Sequence, residues 1–346
     1  MFSRKRLKLS MFLLLAGVAL AGLGMQGSVA QEKEKASVPR ISGPFHHDNL
    51  TICLIHGEDR LKGHKFLMLA EALEQKKFLI YETQKVTDLT MENLSDFEVV
   101  ILSGDILKGG QQDRIAQYDQ IVPPKSGKLP LTVFCVERTA SRWMKPLTDK
   151  DKTFTHNPGQ ICSNELRIAN RMAMSQGEVW QNVLKAQKKL SMNAKVDVKV
   201  KESDSSLALS LKVKEVQQAV DMYVAKLSKT VADKDDVTGY AFAINGKVLS
   251  ADVYGSPVIF RKVWPRLLEA SALEAFAELP KDKKFTPASA QAFKTFFEDA
   301  NKGKVTRTED AKGLRQTTNE KERILHNETK GPGKGKALLR SHYFKY

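Results

Sequence analysis

The sequence predicts an α+β fold, with a mixed or antiparallel sheet as its core, helices covering one side of that sheet, and a hairpin–helix half at the carboxyl end. Two observations support this prediction. Residues 44–143 contain short apolar runs separated by polar turns, which is typical of a β-rich half. Residues 163–300 repeat apolar side chains at helical spacing around one hairpin. We expect the two halves to form one domain, joined by a loop or linker at residues 144–162.

Composition places the 346-residue chain among ordinary globular proteins, with 42% hydrophobic and 27% charged residues. The formal charge of +15 is the one unusual value. Much of this charge lies in residues 301–346, where 12 Lys and Arg face 5 Asp and Glu. No interleaved aromatic pattern of the kind found in nucleic-acid sites accompanies them, so we interpret the segment as a solvated basic tail without a specific nucleic-acid partner.

The first 30 residues have the pattern of a secretory signal peptide. A positive segment at Arg4–Lys8 precedes an apolar run at Met11–Gly24, and small residues precede a cleavage point between Ala30 and Gln31. The apolar run is shorter than the roughly 20 residues that span a bilayer. We therefore predict a secreted or periplasmic protein with no membrane span after leader removal, beginning with a flexible leader at 31–43.

Cysteines and sequons are the candidate sites of covalent modification. The chain has an odd number of cysteines, Cys53, Cys135 and Cys162, so at most one internal disulfide can form. Cys53 and Cys135 both lie in apolar runs, where a buried free thiol is the commoner role and a bridge between them is the alternative. Three Asn-x-Ser/Thr sequons begin at Asn49, Asn93 and Asn327.

The elements of the β-rich half follow from apolar runs of strand length. Phe97–Leu102 is apolar on both alternating faces, which predicts a strand in the middle of a covered sheet. Lys65–Lys76 repeats Leu, Phe and Ala at helical spacing and predicts an amphipathic helix. The other predicted strands are Leu50–Ile55, Phe78–Thr83, Ile115–Val122 and Pro130–Arg138.

The second half contains the clearest hairpin. Asn245-Gly246 favours a type I′ turn between strands at Gly239–Ile244 and Lys247–Tyr254. Ser256-Pro257 begins a helix that Pro265 is expected to kink or divide. The remaining predictions are helices at Ser163–Met174, Ser175–Leu190, Leu207–Val231 and after Thr286, and a possible final strand at residues 338–346.

The loop after the first strand contains His56, Glu58, Asp59 and His64, which are residue types that bind zinc or iron. Their spacing matches no compact pair of metal ligands. We therefore interpret this segment as a polar loop and expect no metal site, and the sequence identifies no cofactor.

The candidate functional site is the polar segment that follows the third predicted strand. Its Gly-Gly pair permits a positive φ or the close approach of a ligand. Arg114 beside Asp113 predicts either a bidentate grip on an anionic ligand or an internal brace of the turn, and the sequence favours neither. The ligand-binding candidates are Gly109, Gly110, Gln112, Asp113, Arg114, Arg138 and Trp143.

Two carboxylates are the candidate catalytic residues. Glu137 ends an apolar strand, where burial would suit a carboxyl group to general acid/base work and pairing with an arginine would make it a brace. Asp105 follows the strand that precedes the glycine pair.

Five segments in order carry a family resemblance: S-G-D-I-L-K-G-G-Q-Q-D-R at 103–114, V-P-P-K-S at 122–126, F-C-V-E at 134–137, S-Q-G-E-V-W at 175–180 and A-I-N-G-K-V at 243–248. Together they resemble the ARG and rhodanese-phosphatase-superfamily-associated protein domain. The association of that family with ADP-ribosylglycohydrolase and rhodanese-phosphatase domains implies a ligand of nucleotide or ADP-ribose type. The secretory leader departs from this expectation, because it places the chain away from cytoplasmic NAD.

Two hypotheses about function follow. The first is a non-catalytic binding or accessory module that holds a small anionic ligand through Arg114, Arg138 and the glycine turn, with Asp113 and Glu137 as braces. The second is a hydrolase of a phosphate- or ribose-containing compound, with Glu137 or Asp105 as the acid/base. We favour the first, because no complete nucleophile–base or metal set can be assembled from the sequence.

Overall fold

The structure is a computed structural model that describes residues 38–137, 154–161, 163–170, 175–201, 204–282, 284–311, 314–321, 323–331 and 337–345. The predicted signal peptide and its cleavage point, Arg138, Trp143 and Cys162 lie outside these residues. The described residues belong to one compact unit. Among them, no helix is both long enough and apolar enough to cross a membrane.

Antiparallel sheets combined with helices confirm the predicted α+β class. The strands are β1 (Arg40–His47), β2 (Leu50–His56), β3 (Phe66–Met68), β4 (Phe78–Tyr81), β5 (Asp88–Asn93), β6 (Glu98–Ile101), β7 (Asp105–Gly109), β8 (Arg114–Ala116), β9 (Gln120–Val122), β10 (Lys128–Cys135), β11 (Phe154–Ile161), β12 (Val237–Ile244), β13 (Lys247–Tyr254), β14 (Lys304–Ala311), β15 (Leu314–Lys321), β16 (Ile324–Lys330) and β17 (Leu338–Lys345). The helices are α1 (Leu69–Glu74), α2 (Asn164–Ile168), α3 (Gln176–Ala194), α4 (Leu207–Ser210), α5 (Lys214–Leu227), α6 (Pro257–Ala277) and α7 (Ala290–Asn301).

The largest sheet has eight antiparallel strands in the order β1-β2-β12-β13-β17-β16-β15-β14. The predicted hairpin forms its centre, with Asn245 and Gly246 at φ of 51° and 78° in the turn. On one side β12 pairs with β2, and on the other β13 pairs with β17. The hairpin therefore joins the amino-terminal half to the carboxyl end of the chain, and the final strand is formed as predicted.

Two smaller sheets are built from the rest of the β-rich half. One has the order β11-β7-β8-β10-β5-β4, and its two edge strands lie close enough for the sheet to be nearly closed like a barrel. The strand β10 links its two parts, because Lys128–Thr132 pairs with β5 and Val133–Cys135 pairs with β8. In the third sheet β6 lies between β3 and β9, which confirms the prediction that this strand is central.

Alternating residues of β12 pack against two helices on opposite faces of the large sheet. Tyr240 and Phe242 belong to the core around α6, whereas Ala241 and Ala243 belong to the core around α7. The phenylalanines expected to be buried on the helix after Thr286 are buried on α7. Helices therefore cover both faces at the centre of this sheet, where the sequence predicted cover on one side.

Asparagine side chains satisfy the carbonyl groups at the end of α6. Asn49 donates to the carbonyl of Ala275, Asn193 to the next two carbonyls and Asn245 to the carbonyl of Glu278. A helix end leaves carbonyl groups without intrahelical donors, so these side-chain hydrogen bonds offset the free-energy cost of burying those carbonyl groups.

All three sequon asparagines are buried in the fold (Asn49, Asn93 and Asn327).

Tertiary pairing overrides several local predictions. The beginning of the predicted helix Lys65–Lys76 is strand β3, because it pairs in parallel with β6. The predicted strand Ile115–Val122 divides into β8 and β9, which join different sheets. The predicted helix Leu207–Val231 is interrupted by extended backbone at Val213. Conversely, α6 continues through Pro265, since most of its length is buried against other elements.

Both ends of the chain contribute more strand than was expected. The strand β1 begins at Arg40, inside the segment predicted to be a flexible leader. The predicted basic tail contributes β14, β15 and β16 in addition to the final strand. These strands are largely polar, so they lack the apolar alternation that would identify them in the sequence.

His326 is a buried histidine on β16, opposite Tyr343 on the paired strand β17. The His326 ring stacks on Tyr343, with ring centroids 4.0 Å apart, and its Nε2 atom lies 3.3 Å from Ser341 Oγ. Burial lowers the pKa of His326 from 6.5 to about 4. An unfolded chain therefore binds a proton at this residue before the folded chain does, so stability is lost as the pH falls from about 6.5 towards 4.

We expect His326→Gln to reduce the loss of unfolding free energy between pH 7 and pH 4.5, because the residue no longer binds a proton on unfolding. The slope contributed by one such histidine is at most about 1.4 kcal/mol per pH unit. Urea denaturation at a series of pH values measures it. The exposed His64, replaced by Gln, serves as the control and should retain the wild-type slope. Parallel curves for wild type and His326→Gln would contradict the assignment.

Candidate functional site

The glycine turn that follows β7 has the backbone geometry that its sequence permits. Gly109 and Gly110 have φ of 134° and 58°. A Cβ atom at Gly110 would collide with the Phe154 ring and the Glu82 carboxylate. Close approach therefore occurs at this turn, and in this structure the approaching groups are the protein's own side chains.

Arg114 is fully buried beside this turn. Its Nη1 group donates to the carbonyl of Gln112 at 2.6 Å, and its Nη2 group lies 3.6 Å from Glu82 Oε2. The Nε and Nη2 groups donate no hydrogen bond to any residue that the structure describes. A buried guanidinium with so few hydrogen bonds is unusual, because almost all buried polar groups in proteins have partners.

Glu82 belongs to the same group of buried polar side chains as Arg114, which we call the Arg114 cluster. The sequence analysis missed this residue. Its Oε2 atom accepts from the Gln111 N–H at 3.0 Å, and its Oε1 atom accepts from the N–H groups of Thr83 and Gln84. The Glu82 side chain is 1% exposed. Glu82 lies within the predicted strand Phe78–Thr83, where a carboxylate is conspicuous. Nothing in the neighbouring sequence indicates that this carboxylate faces Arg114.

Asp113 and Glu137 are brought together and both accept hydrogen bonds from the protein. Glu137 Oε2 accepts from the Asp113 N–H at 3.1 Å. Asp113 Oδ1 accepts from the Gly109 N–H at 3.3 Å, and Asp113 Oδ2 accepts from the Ser206 hydroxyl at 3.0 Å. Since Ser206 also caps α4, this carboxylate ties the glycine turn to the helical half.

Cys135 and two glutamines complete the cluster. The Cys135 thiol donates to Gln112 Oε1 at 3.0 Å, and Gln112 Nε2 donates to the Glu137 carbonyl at 3.1 Å. The Gln176 side chain bonds both the N–H and the carbonyl of Cys135, as a neighbouring strand would. Burial raises the pKa of the Cys135 thiol to about 11.

Cys53 and Cys135 are both free thiols, so the alternative of a bridge between them is wrong.

Asp105, the second candidate catalytic residue, is separated from the rest of the cluster. It begins β7, whereas Gly109 ends it, and four residues of strand span about 13 Å. Asp105 accepts a hydrogen bond from the Leu102 N–H and forms a buried ion pair with Arg266. The two candidate catalytic carboxylates, Glu137 and Asp105, therefore contact different residues.

A second buried cluster, which we call the clasp, consists of Asp252, Arg340, Arg167 and Asp119. Asp252 Oδ1 accepts from Arg340 at 2.6 Å and Oδ2 accepts from Arg167 at 2.9 Å. Arg340 Nη1 also donates to Asp119 at 3.0 Å. Burial by itself raises the pKa of Asp252, but the two guanidinium groups outweigh it and leave this pKa below its ordinary value. Asp252 lies on β13 of the predicted hairpin, whereas its three partners come from distant segments of the chain.

The histidines of the polar loop have protein partners. His56 lies 2.8 Å from Asp236 and 2.7 Å from Ser42 Oγ through its two ring nitrogens. His64 stacks on Phe66. No group of three or more His, Cys, Asp or Glu residues that could hold a metal ion occurs in the described ranges.

Comparison with known proteins identifies one match. The family model described as ARG and Rhodanese-Phosphatase-superfamily-associated Protein domain matches residues 39–340, which is most of the chain. No curated protein and no solved structure matches.

We expect Asp252→Asn to lower the free energy of unfolding by about 3–5 kcal/mol, because it leaves Arg340 and Arg167 buried without their shared counter-charge. Urea denaturation at pH 7 measures the loss. Asp236→Asn is the matched control, since that carboxylate is half exposed and its replacement should cost less than about 1 kcal/mol. A loss in Asp252→Asn as small as that expected of the control would contradict the prediction.

Proposed function

The chain belongs to the ARG and Rhodanese-Phosphatase-superfamily-associated Protein domain family, and we propose that it is a non-catalytic binding or accessory module for a small anionic ligand. On the strength of the predicted signal peptide, we propose that it acts in a secreted or periplasmic location. The proposed ligand site comprises the glycine turn, Gln112, Asp113 and Arg114, together with Arg138 and Trp143 from outside the described residues.

The observation that supports this proposal is the incomplete hydrogen bonding of Arg114. Its Nε and Nη2 groups are buried and donate to no described residue, while Glu82 provides counter-charge only at 3.6 Å. A planar guanidinium fits two oxygen atoms of one carboxylate or phosphate. An anion bound beside Arg114 would satisfy these donors. Glu82 itself receives three backbone N–H groups, so the surroundings of Arg114 already suit a carboxylate.

The positions of the carboxylates support binding over catalysis. Asp113 and Glu137 accept backbone N–H groups, and Asp105 is engaged by Arg266 at the other end of β7. A carboxylate that organises its own turn is already committed to a structural contact. Hydrolysis of a phosphate- or ribose-containing compound, with Glu137 or Asp105 as acid/base, is the alternative that the following experiments separate.

A melting-temperature screen with nucleotides, ADP-ribose and sugar phosphates tests the anion site. A ligand at about one hundred times its dissociation constant should stabilise the protein by roughly 2.7 kcal/mol. We expect Arg114→Met to abolish this shift and Arg114→Lys to reduce it, because lysine keeps the charge but not the planar fork. Arg261→Met, at an exposed arginine, is the control. No shift with any compound, or a shift that Arg114→Met leaves unchanged for every compound that binds, would overturn the proposal.

The role of Glu137 is tested by Glu137→Gln. As a brace, Glu137 should contribute about 1–3 kcal/mol to the unfolding free energy through the buried hydrogen bond from Asp113. We expect the variant to lose stability, and we expect wild type to form no product from any ligand found in the screen. Product formation by wild type that Glu137→Gln abolishes, at unchanged stability, would favour the hydrolase instead. Glu74→Gln, at an exposed helix position, controls for the loss of one charge.

A further inference from the structure

A cavity of about 730 Å³ lies in the helical half of the fold. Its walls are α2, α3, the turn of the β12–β13 hairpin and the end of α6. This volume is within the range of small-molecule sites. None of the described residues of the Arg114 cluster lines the cavity, so it is a different place from the site of the proposed function.

Several lysines line the cavity. Lys185, Lys247 and Lys345 all line it, and none of them forms an ion pair within the described ranges of the chain. Lys189 is different, because Glu278 neutralises it in an ion pair. The lining also includes Glu178, Glu274 and Glu278, of which Glu278 is paired with Lys189, so its four lysines exceed its carboxylates by one.

Two of the lining residues carry buried acceptor atoms. Asn164 is 2% exposed, and its Oδ1 atom receives no hydrogen bond from a described residue. The same holds for Oδ1 of Asn245, whose Nδ2 group is held by its hydrogen bond to the carbonyl of Glu278. Buried acceptors of this kind normally have a donor. A ligand with hydroxyl or N–H groups would supply it.

We propose that this cavity binds a small polyhydroxylated organic anion, such as a phosphorylated or carboxylated sugar. Its phosphate or carboxylate contacts Lys185, Lys247 and Lys345, and its hydroxyl groups donate to Asn164 and Asn245. The apolar side chains of the wall, Ile168, Ala169, Ile244 and Leu249, pack against the carbon face of the ring.

Isothermal titration calorimetry with glucose 6-phosphate, glucuronate, glucose and inorganic phosphate tests the proposal. We expect at least one of the two anionic sugars to bind at least tenfold more tightly than glucose or phosphate alone. Lys247→Gln combined with Lys345→Gln should weaken that binding at least tenfold. The control is Lys188→Gln combined with Lys199→Gln, two exposed lysines that do not line the cavity. Absence of binding by both anionic sugars, or equal binding in the two double variants, would overturn the proposal.

Two further variants sharpen the result. Asn164→Leu removes the acceptor at similar volume, and we expect it to weaken binding of the anionic sugar while leaving the melting temperature of the free protein unchanged or higher. A purely structural asparagine would show the opposite pattern, with lower melting temperature and unchanged affinity. Arg114→Met should leave this binding intact, and a loss there would assign the titrated ligand to the Arg114 site and reject the cavity.

Discussion

The fold depends on a buried carboxylate, Asp252, that two guanidinium groups share. Arg340 comes from the last strand, Arg167 from α2, and Asp119 from the connection between β8 and β9, so the clasp joins segments that are far apart in sequence. Removing water from such charges is costly unless each has its partners. The arrangement is stable only when all of these segments are in place, and it holds the central hairpin to β17 and α2.

The clasp also anchors one wall of the cavity, through α2. The short helix α2 carries Arg167, which binds Asp252, and Asn164, which lines the cavity.

Arg340 and Arg114 are both buried, yet their hydrogen bonding differs. Arg340 donates to two carboxylates and a carbonyl, whereas Arg114 donates to one carbonyl and faces Glu82 at a longer distance. The hydrogen bonds of the first guanidinium group are accounted for by the fold, whereas two nitrogen atoms of the second donate to no described residue.

Some of the predicted site residues lie together because of short-range strand pairing. The glycine turn, Asp113, Arg114 and Glu137 lie together because β8 pairs with β10, and these strands are close in sequence. Glu82, Gln176 and Ser206 come from other segments, and no spacing in the sequence connects them to the turn. Asp105 illustrates the converse, since it is near the turn in sequence but lies at the far end of β7.

The sequence by itself determined the α+β class, the Asn-Gly hairpin, the central position of β6 and the glycine turn, because alternation, apolar runs and permitted φ angles are local properties. Only the tertiary structure decided that Phe66–Met68 is a strand, that Ile115–Val122 divides between two sheets, and which acidic group each arginine meets. These outcomes depend on contacts between residues that are far apart in sequence. Arg340 and Asp252, for example, are 88 residues apart. Such pairs are selected by burial and by the need to satisfy buried charge, which no segment can express alone.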